Sequence, residues 1–244
     1  MDIREKLKMD MSGLVEHGAI TIVAFGDSVT HGAFDHGVID AERVYHRLLA
    51  KKINALRPYI PVNMINSGIG ATSAKSSLAR LERQVLAHSP DMVIVSFGLN
   101  DVNGKLEDYI DSMREIMTRC KEAGAEVILM TPNMLNTRVV REPAERYLQY
   151  AEVTERAQNS GRMDLFMDSV RALARELGVK VADCYAVWKQ MAAEGRDTTA
   201  LLANDINHPI PEMHEMAADI LYRTIFGTEE GTYDADSNTL FRGN

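Results

Sequence analysis

The stretch Ile20-Thr21-Ile22-Val23-Ala24-Phe25-Gly26-Asp27-Ser28-Val29-Thr30 passes from an almost unbroken apolar run into a polar turn. A short apolar run that ends at a glycine reads as a strand buried on both faces, the habit of a parallel sheet with helices on each side. Four more runs follow, at 62–65, 92–97, 126–131 and 179–183. Between them apolar residues return at helical spacing: Tyr45, Leu48, Leu49, Ile53 and Leu56; Leu78, Leu81 and Val85; Leu106, Ile110, Met113, Met117 and Cys120; Phe166, Val170, Leu173 and Leu177. Strand and helix therefore alternate, with a final helix around 211–225. The expected fold is α/β: three layers, α/β/α, around a five-stranded parallel sheet in the flavodoxin-like order 2-1-3-4-5. Gly124 and Gly178, each between a helical run and a strand, suit left-handed helix ends.

One domain over 19–226 is expected, preceded by an N-terminal helical extension at 1–18 and followed by a polar tail at 227–244. A length of 244 residues accommodates a single sizeable core. The formal net charge of −8, from 27 basic and 35 acidic residues, offers no footprint for nucleic acid and would be repelled by an anionic membrane surface. A small neutral or cationic molecule is the expected partner, and the polar tail leaves room for a homo-oligomer. Cys120 and Cys184 lie far apart, without CxxC spacing, and read as buried free thiols. No HxxxH or histidine–carboxylate cluster suggests a metal, and no cofactor is implied. The N-terminal MDIREKLKMDMSGLVEH lacks the apolar run of a secretory signal, and no segment has the length of a membrane span, so a cytoplasmic protein is expected. The connection at 133–161 is polar and rich in arginine, with Pro143 opening a helix; it is either a lid over the pocket or a solvated surface helix.

Four short motifs fall in connections that follow strands, where an open parallel sheet holds its ligands. Gly26-Asp27-Ser28 allows a tight exit from the first strand and sets a serine on a turn whose N–H groups point toward an oxyanion at its hydroxyl. At average composition the tripeptide arises by chance in roughly one chain in fifteen of this length, so taken alone it is better explained as a helix cap. Asn66-Ser67-Gly68-Ile69-Gly70-Ala71-Thr72 lets the backbone close on a ligand, with the N–H of Gly70, or of Gly68, as an oxyanion donor; a capping turn is the alternative. Gly98-Leu99-Asn100-Asp101 offers the Asn100 amide, a neutral donor, across the switch point from Ser28. Asn100 and Asp101 would otherwise be a turn and a cap. In Asp205-Ile206-Asn207-His208-Pro209 the carboxylate can fold back onto the imidazole Nδ1–H and leave Nε2 as a base; alone, the pair reads equally as a surface turn.

Together these motifs resemble those of the SGNH hydrolases, the GDSL-type esterases and lipases, in family order from Gly26 to Pro209. The resemblance implies the SGNH hydrolase fold and a carboxylic ester hydrolase without a cofactor. It assigns the nucleophile to Ser28, the base to His208 and its orienting carboxylate to Asp205. The oxyanion donors it assigns are the Ser28 and Gly70 N–H groups and the Asn100 side chain, with Gly26, Asp27, Gly98 and Asp101 supporting the motifs. Two places depart from the family pattern: Gly70-Ala71-Thr72 stands where relatives usually carry Gly-Asp-Thr, and Pro209 is followed by Ile210, not asparagine. His214 matches a structural position. The implied reaction is ester hydrolysis through an acyl-enzyme on Ser28, with short-chain esters or O-acetylated carbohydrates as substrates. The alternatives are an acyltransferase using the same intermediate and a non-catalytic binding module on this fold. His31 and His36 follow the nucleophile turn closely enough to line its pocket, whereas His17, His46 and His88 are expected in solvent, on polar faces or helix ends.

Overall fold

Residues 2–140 and 145–227 are described by the structure, a computed structural model, with the side chains of residues 145 and 146 outside the description. The tail expected at 227–244, apart from Gly227, and the helix start at Pro143 therefore lie outside the described residues. Two short helices, α1 (Ile3–Lys6) and α2 (Met11–His17), precede β1 (Ile20–Gly26). Then come α3 (Ser28–His31), α4 (Tyr45–Leu56), β2 (Val62–Gly68), α5 (Ala74–Gln84), β3 (Met92–Ser96), α6 (Leu106–Glu122) and β4 (Glu126–Thr131). The described residues end with α7 (Glu145–Asn159), α8 (Arg162–Glu176), β5 (Lys180–Asp183), α9 (Cys184–Ala193) and α10 (Pro211–Phe226).

All five strands are parallel, in the order β2-β1-β3-β4-β5, as the alternation of apolar runs anticipated. Successive strand side chains point to opposite faces, and on β1 both faces are covered. Val23 and Phe25 join Val93 and Val95 of β3 in a core under α6 and α8; Ile20, Ile22 and Ala24 face Leu49 and Ile53 of α4 and Leu221 of α10. Each such side chain, fully buried, contributes roughly 1.5–3 kcal/mol, so this strand has no polar face to spare. Ahead of it, Ile3 is fully buried, and the Lys6 ammonium donates to the His17 and Ala19 carbonyls and to Asp91. Both cysteines are buried free thiols, as expected.

Two elements differ from the sequence expectation. Helix α9 was not anticipated, because Asp183 serves as both the last residue of β5 and the N-cap of α9, accepting from the Ala186 N–H, so no turn residue separates strand from helix. Within the connection at 133–161, α7 is seated on the loop before it. Thr154 donates to Asn136 Oδ1 at 2.6 Å, Asn136 Nδ2 donates to the Ala151 carbonyl at 2.9 Å, and Leu135 N–H donates to Gln158 Oε1 at 2.9 Å. Its inner face is thus buried and polar-bonded, while Leu148 and Val153 remain exposed.

The end of β2 packs directly against α3, and glycine is what permits it. A Cβ added to Gly68 would lie 2.2 Å from His31 N and 2.5 Å from the Thr30 carbonyl carbon, both backbone atoms that cannot swing aside. Gly68→Ala is expected to lower stability by about 1–3 kcal/mol or more; an unchanged melting temperature in scanning calorimetry would contradict this packing.

Candidate active site

The C-terminal ends of β1, β2 and β3 converge on one crevice. Strand β1 ends at Gly26, where a Cβ would come within 2.1 Å of Thr30 Oγ1 and 2.6 Å of the Ser96 carbonyl oxygen. The next residue, Asp27, caps α3 by accepting the Val29 N–H at 3.0 Å. Burial pushes the Asp27 carboxyl up to about 7; the Val29 N–H opposes the shift and the charge of Asp101 adds to it. Ser28 is thereby held on the first turn of α3, with the helix N–H groups behind it.

Its hydroxyl meets His208, with Ser28 Oγ 3.0 Å from Nε2, although 180 residues separate them in the chain. The other ring nitrogen, Nδ1, lies 2.9 Å from the Phe34 carbonyl oxygen. A carbonyl can only accept, so Nδ1 carries the proton and Nε2 turns its lone pair to the serine O–H. That is the tautomer a general base requires.

The structure corrects the expectation for Asp205. Its carboxylate does not bond Nδ1, because the Phe34 carbonyl occupies that position. The loop explains why. Asn204 Oδ1 accepts the N–H groups of Ile206, Asn207 and His208 at 3.1, 2.9 and 2.9 Å, and Asp205 takes a left-handed φ of 55°. The Asp205 carboxyl instead lies in the field of Arg138, Asp35, Asp197 and His36, raised chiefly by burial and lowered by Arg138. Phe34 and Asn204 are the residues that sequence reasoning missed. A backbone acceptor has no residue signature, and Asn204 became recognisable only as the cap of a loop whose conformation was unknown.

On the opposite side, Asn100 Nδ2 donates to the Thr72 carbonyl at 2.9 Å. That bond uses one amide hydrogen and fixes the plane of the other. Gly70 stands beside Ser28: a Cβ there would contact Ser28 Cβ at 3.8 Å and His31 Nδ1 at 4.0 Å. Gly68 is placed differently, since its N–H is already given to Asn66 Oδ1 at 2.9 Å. Neither the Ser28 nor the Gly70 N–H donates to a protein acceptor among the described residues. Ala71, next to Gly70, holds a φ of 60°, a conformation rare for a residue with a Cβ. Gly98, with φ 142°, lets Met167 approach the turn before Asn100, and Asp101 accepts the Ala74 N–H to cap α5. Burial raises the Asp101 carboxyl to about 6.

Around the rim, His31 is exposed next to Gly70, and His36 stacks on Tyr147 of α7 with ring centroids 3.8 Å apart. His46 departs from expectation: it is buried, bonded through Nε2 to the Thr30 carbonyl at 3.0 Å, because α4 turns this residue onto α3. His214 is also buried, accepting the Tyr45 N–H at Nδ1 and packing against the Phe34 ring. Burial pushes it down to about 3, so it remains a neutral structural group. Among the described residues, no group of three or more histidine, cysteine, aspartate or glutamate side chains gathers as metal ligands would. No described helix is long and apolar enough to cross a membrane.

The model of the GDSL-like lipase/acylhydrolase family matches residues 24–216, a span that contains every motif described above. The chain belongs to this family. It is accordingly a carboxylic ester hydrolase, with the SGNH fold. Among its relatives, an acetylxylan esterase of Geobacillus stearothermophilus is 25% identical over 185 residues, which are 71% of this chain and 76% of that one. The solved structure of the Geobacillus stearothermophilus acetylxylan esterase Axe2 superposes with a TM-score of 0.65 at 22% identity, covering 85% of this chain and 94% of its own. LAE5, an alpha/beta hydrolase enzyme from the Lake Arreo metagenome, gives a TM-score of 0.66 at 24% identity, covering 86% and 97%. Structures of Axe2 with a serine or a histidine replaced by alanine are described as those of catalytic mutants.

Burial, more than any charge, holds His208 below the ordinary histidine value of 6.5; the Phe34 carbonyl and Asp35 oppose the shift and His36 adds to it. A base works only when neutral, so activity rises with pH through the His208 pKa, and the acid limb of kcat/KM is expected to have its midpoint below 6.5. A midpoint above that value in a pH–rate profile would count against the geometry. Because a carbonyl orients the ring, Asp205→Asn is expected to lower kcat/KM less than about tenfold, against the roughly 10⁴-fold that follows when an orienting carboxylate is lost. Steady-state kinetics on 4-nitrophenyl acetate separate the two: a loss near the larger figure would mean that Asp205 displaces the Phe34 carbonyl during turnover.

Proposed function

We propose that the protein hydrolyses short acyl esters, acetyl esters of carbohydrates in particular, through a covalent acyl-enzyme on Ser28. The observation that carries this reading is the 3.0 Å contact between Ser28 Oγ and His208 Nε2. His208 takes the hydroxyl proton as Oγ attacks the ester carbonyl. The charge that develops on the carbonyl oxygen is received by the Ser28 and Gly70 N–H groups and the free amide hydrogen of Asn100, donors of a kind worth about 10²–10³ in kcat each. As the C–O bond to the alcohol breaks, the imidazolium returns its proton from Nε2 to the departing oxygen. A water, deprotonated by the same nitrogen, then attacks the acyl carbon and releases the acid. The Nδ1–H stays on the Phe34 carbonyl throughout, so the ring need not reorient between the two half-reactions.

The acetylxylan esterase relative supports a small acyl group on a sugar hydroxyl. The rim supports it as well. His31, His36, Tyr147 and Asp205 present polar edges and aromatic faces, which suit a hydroxyl-rich alcohol better than a hydrocarbon chain. Ser28→Ala is expected to reduce kcat by roughly 10⁴-fold or more while leaving the fold intact. In the parent enzyme, acetyl esters should outrun octanoyl esters in a 4-nitrophenyl series, and acetylated xylo-oligosaccharides should release acetate. Retained activity in Ser28→Ala would end the nucleophile assignment; a preference for long chains would end the substrate assignment alone.

A further inference from the structure

Beneath the crevice lies a buried cation that the chemistry above does not use. Arg80 projects from α5 into the space under the ends of β1 and β2, and only 8% of the residue is exposed. Its Nη1 donates to the Ser67 carbonyl at 2.5 Å and to Gln84 Oε1 at 3.1 Å. Its Nη2 donates to the Gly26 carbonyl at 2.9 Å and to Ser77 Oγ at 3.0 Å, with Thr72 Oγ1 at 3.4 Å. The plane of the guanidinium lies over the Phe25 ring, 4.5 Å from its centroid.

Three of these acceptors stand at the ends of β1 and β2 or in the loop after β2, next to the oxyanion donors. Gly26 is two residues before Ser28, and its carbonyl also receives the Ile69 N–H at 3.2 Å, which joins the first loop to the second. Ser67 and Thr72 bracket Gly70 on either side. The Thr72 carbonyl holds the Asn100 amide at 2.9 Å, which brings in the third loop. We propose that Arg80 is a positioning residue of the oxyanion hole: its guanidinium ties the end of β1, just before Ser28, to the end of β2 and to Thr72 beside Gly70, through whose carbonyl the Asn100 amide is held, and sets a buried positive charge behind these donors.

The planar fork of arginine suits this task, since it reaches several carbonyls at fixed angles where an ammonium would act as a point charge. Among the described residues no carboxylate approaches Arg80 within ion-pair distance, so its charge is met by neutral dipoles and by the more distant field of Asp27. Burial lowers the guanidinium to about 10, which leaves it charged at neutral pH. A cation held in this way favours negative charge appearing on the substrate oxygen. Ala71, strained beside Gly70, is the residue that would relax if the tie were cut.

The inference rests on Ser28 being an acylated nucleophile, and the experiment separates the two claims. Arg80→Lys and Arg80→Met are compared with the parent, with Ser28→Ala, and with Arg171→Met, which removes the ion pair between α8 and Asp183 elsewhere in the fold. Active sites are counted by end-point labelling with a fluorophosphonate, and kcat and KM per site are measured on 4-nitrophenyl acetate. Arg80→Met is expected to lose about 10–100-fold in kcat per site, the scale of a misplaced catalytic contact, with KM changed less than about threefold. Arg80→Lys should recover part of that loss, and Arg171→Met should lose stability but keep its kcat per site. If Arg80→Met does not fold, Arg80→Lys decides: a folded Lys variant with the parent's kcat per site overturns the proposal. So does a Met variant whose rate loss matches its unlabelled fraction. Activity surviving in Ser28→Ala would overturn the acyl-enzyme reading itself, and the proposal with it.

Discussion

Strand β1 is hydrogen-bonded along both edges, to β2 on one side and β3 on the other, and is covered on both faces. In a parallel sheet all strands end at the same edge, and helices leaving neighbouring strands on opposite faces open a crevice there. The paired register brings Gly26 level with Gly68 of β2 and Ser96 of β3. Three loops consequently begin at one height and on one side of the molecule, each supplying a different part of the site. His208 is the exception, since it arrives on the irregular segment between α9 and α10 and still meets Ser28.

Close approach at this edge is paid for in backbone constraint. Gly26 and Gly68 have no room for a Cβ, and Ala71 and Asp205 hold positive φ angles. Around these constraints lies a polar interior: Arg80 on the strand-end carbonyls, Asp27 capping α3, Asp101 capping α5 and Asn204 capping the histidine loop. Burying such groups is costly unless each finds partners, and here most of the partners are backbone groups of the segments around Ser28 and His208. The hydrogen bonds that compensate burial therefore also fix the loops around Ser28 and His208, as preorganisation of such a site would require.

The strands were legible because their apolar runs are short, glycine-bounded and separated by helical periodicity. The order of the sheet followed from the connectivity that such alternation favours. Helix α9 was hidden by a residue with two duties, Asp183, and the burial of His46 by a helix face whose partner, α3, is only one turn long. Within the site, Ser28, Gly70, Asn100 and His208 carried recognisable spacing. The acceptor on His208 Nδ1 did not, since any residue can offer a carbonyl and only the path of the chain at Phe34 puts one there.

Local chemistry sufficed for everything written in residue type: the parallel sheet, the glycine at each tight exit, the serine on its turn and the candidate base. Those choices depend on steric allowance, burial and protonation, which a side chain carries with it wherever it goes. What only the tertiary structure decided was which groups meet. The selection of the Phe34 carbonyl over the Asp205 carboxylate, the placing of Gly70 beside Ser28 while Gly68 is spent on Asn66, and the joining of the ends of β1 and β2 on Arg80 all turn on distances of a few ångströms between segments remote in sequence. Hydrogen bonds and close contacts fall off over less than the width of one residue, so the spacing of motifs along a chain cannot resolve them.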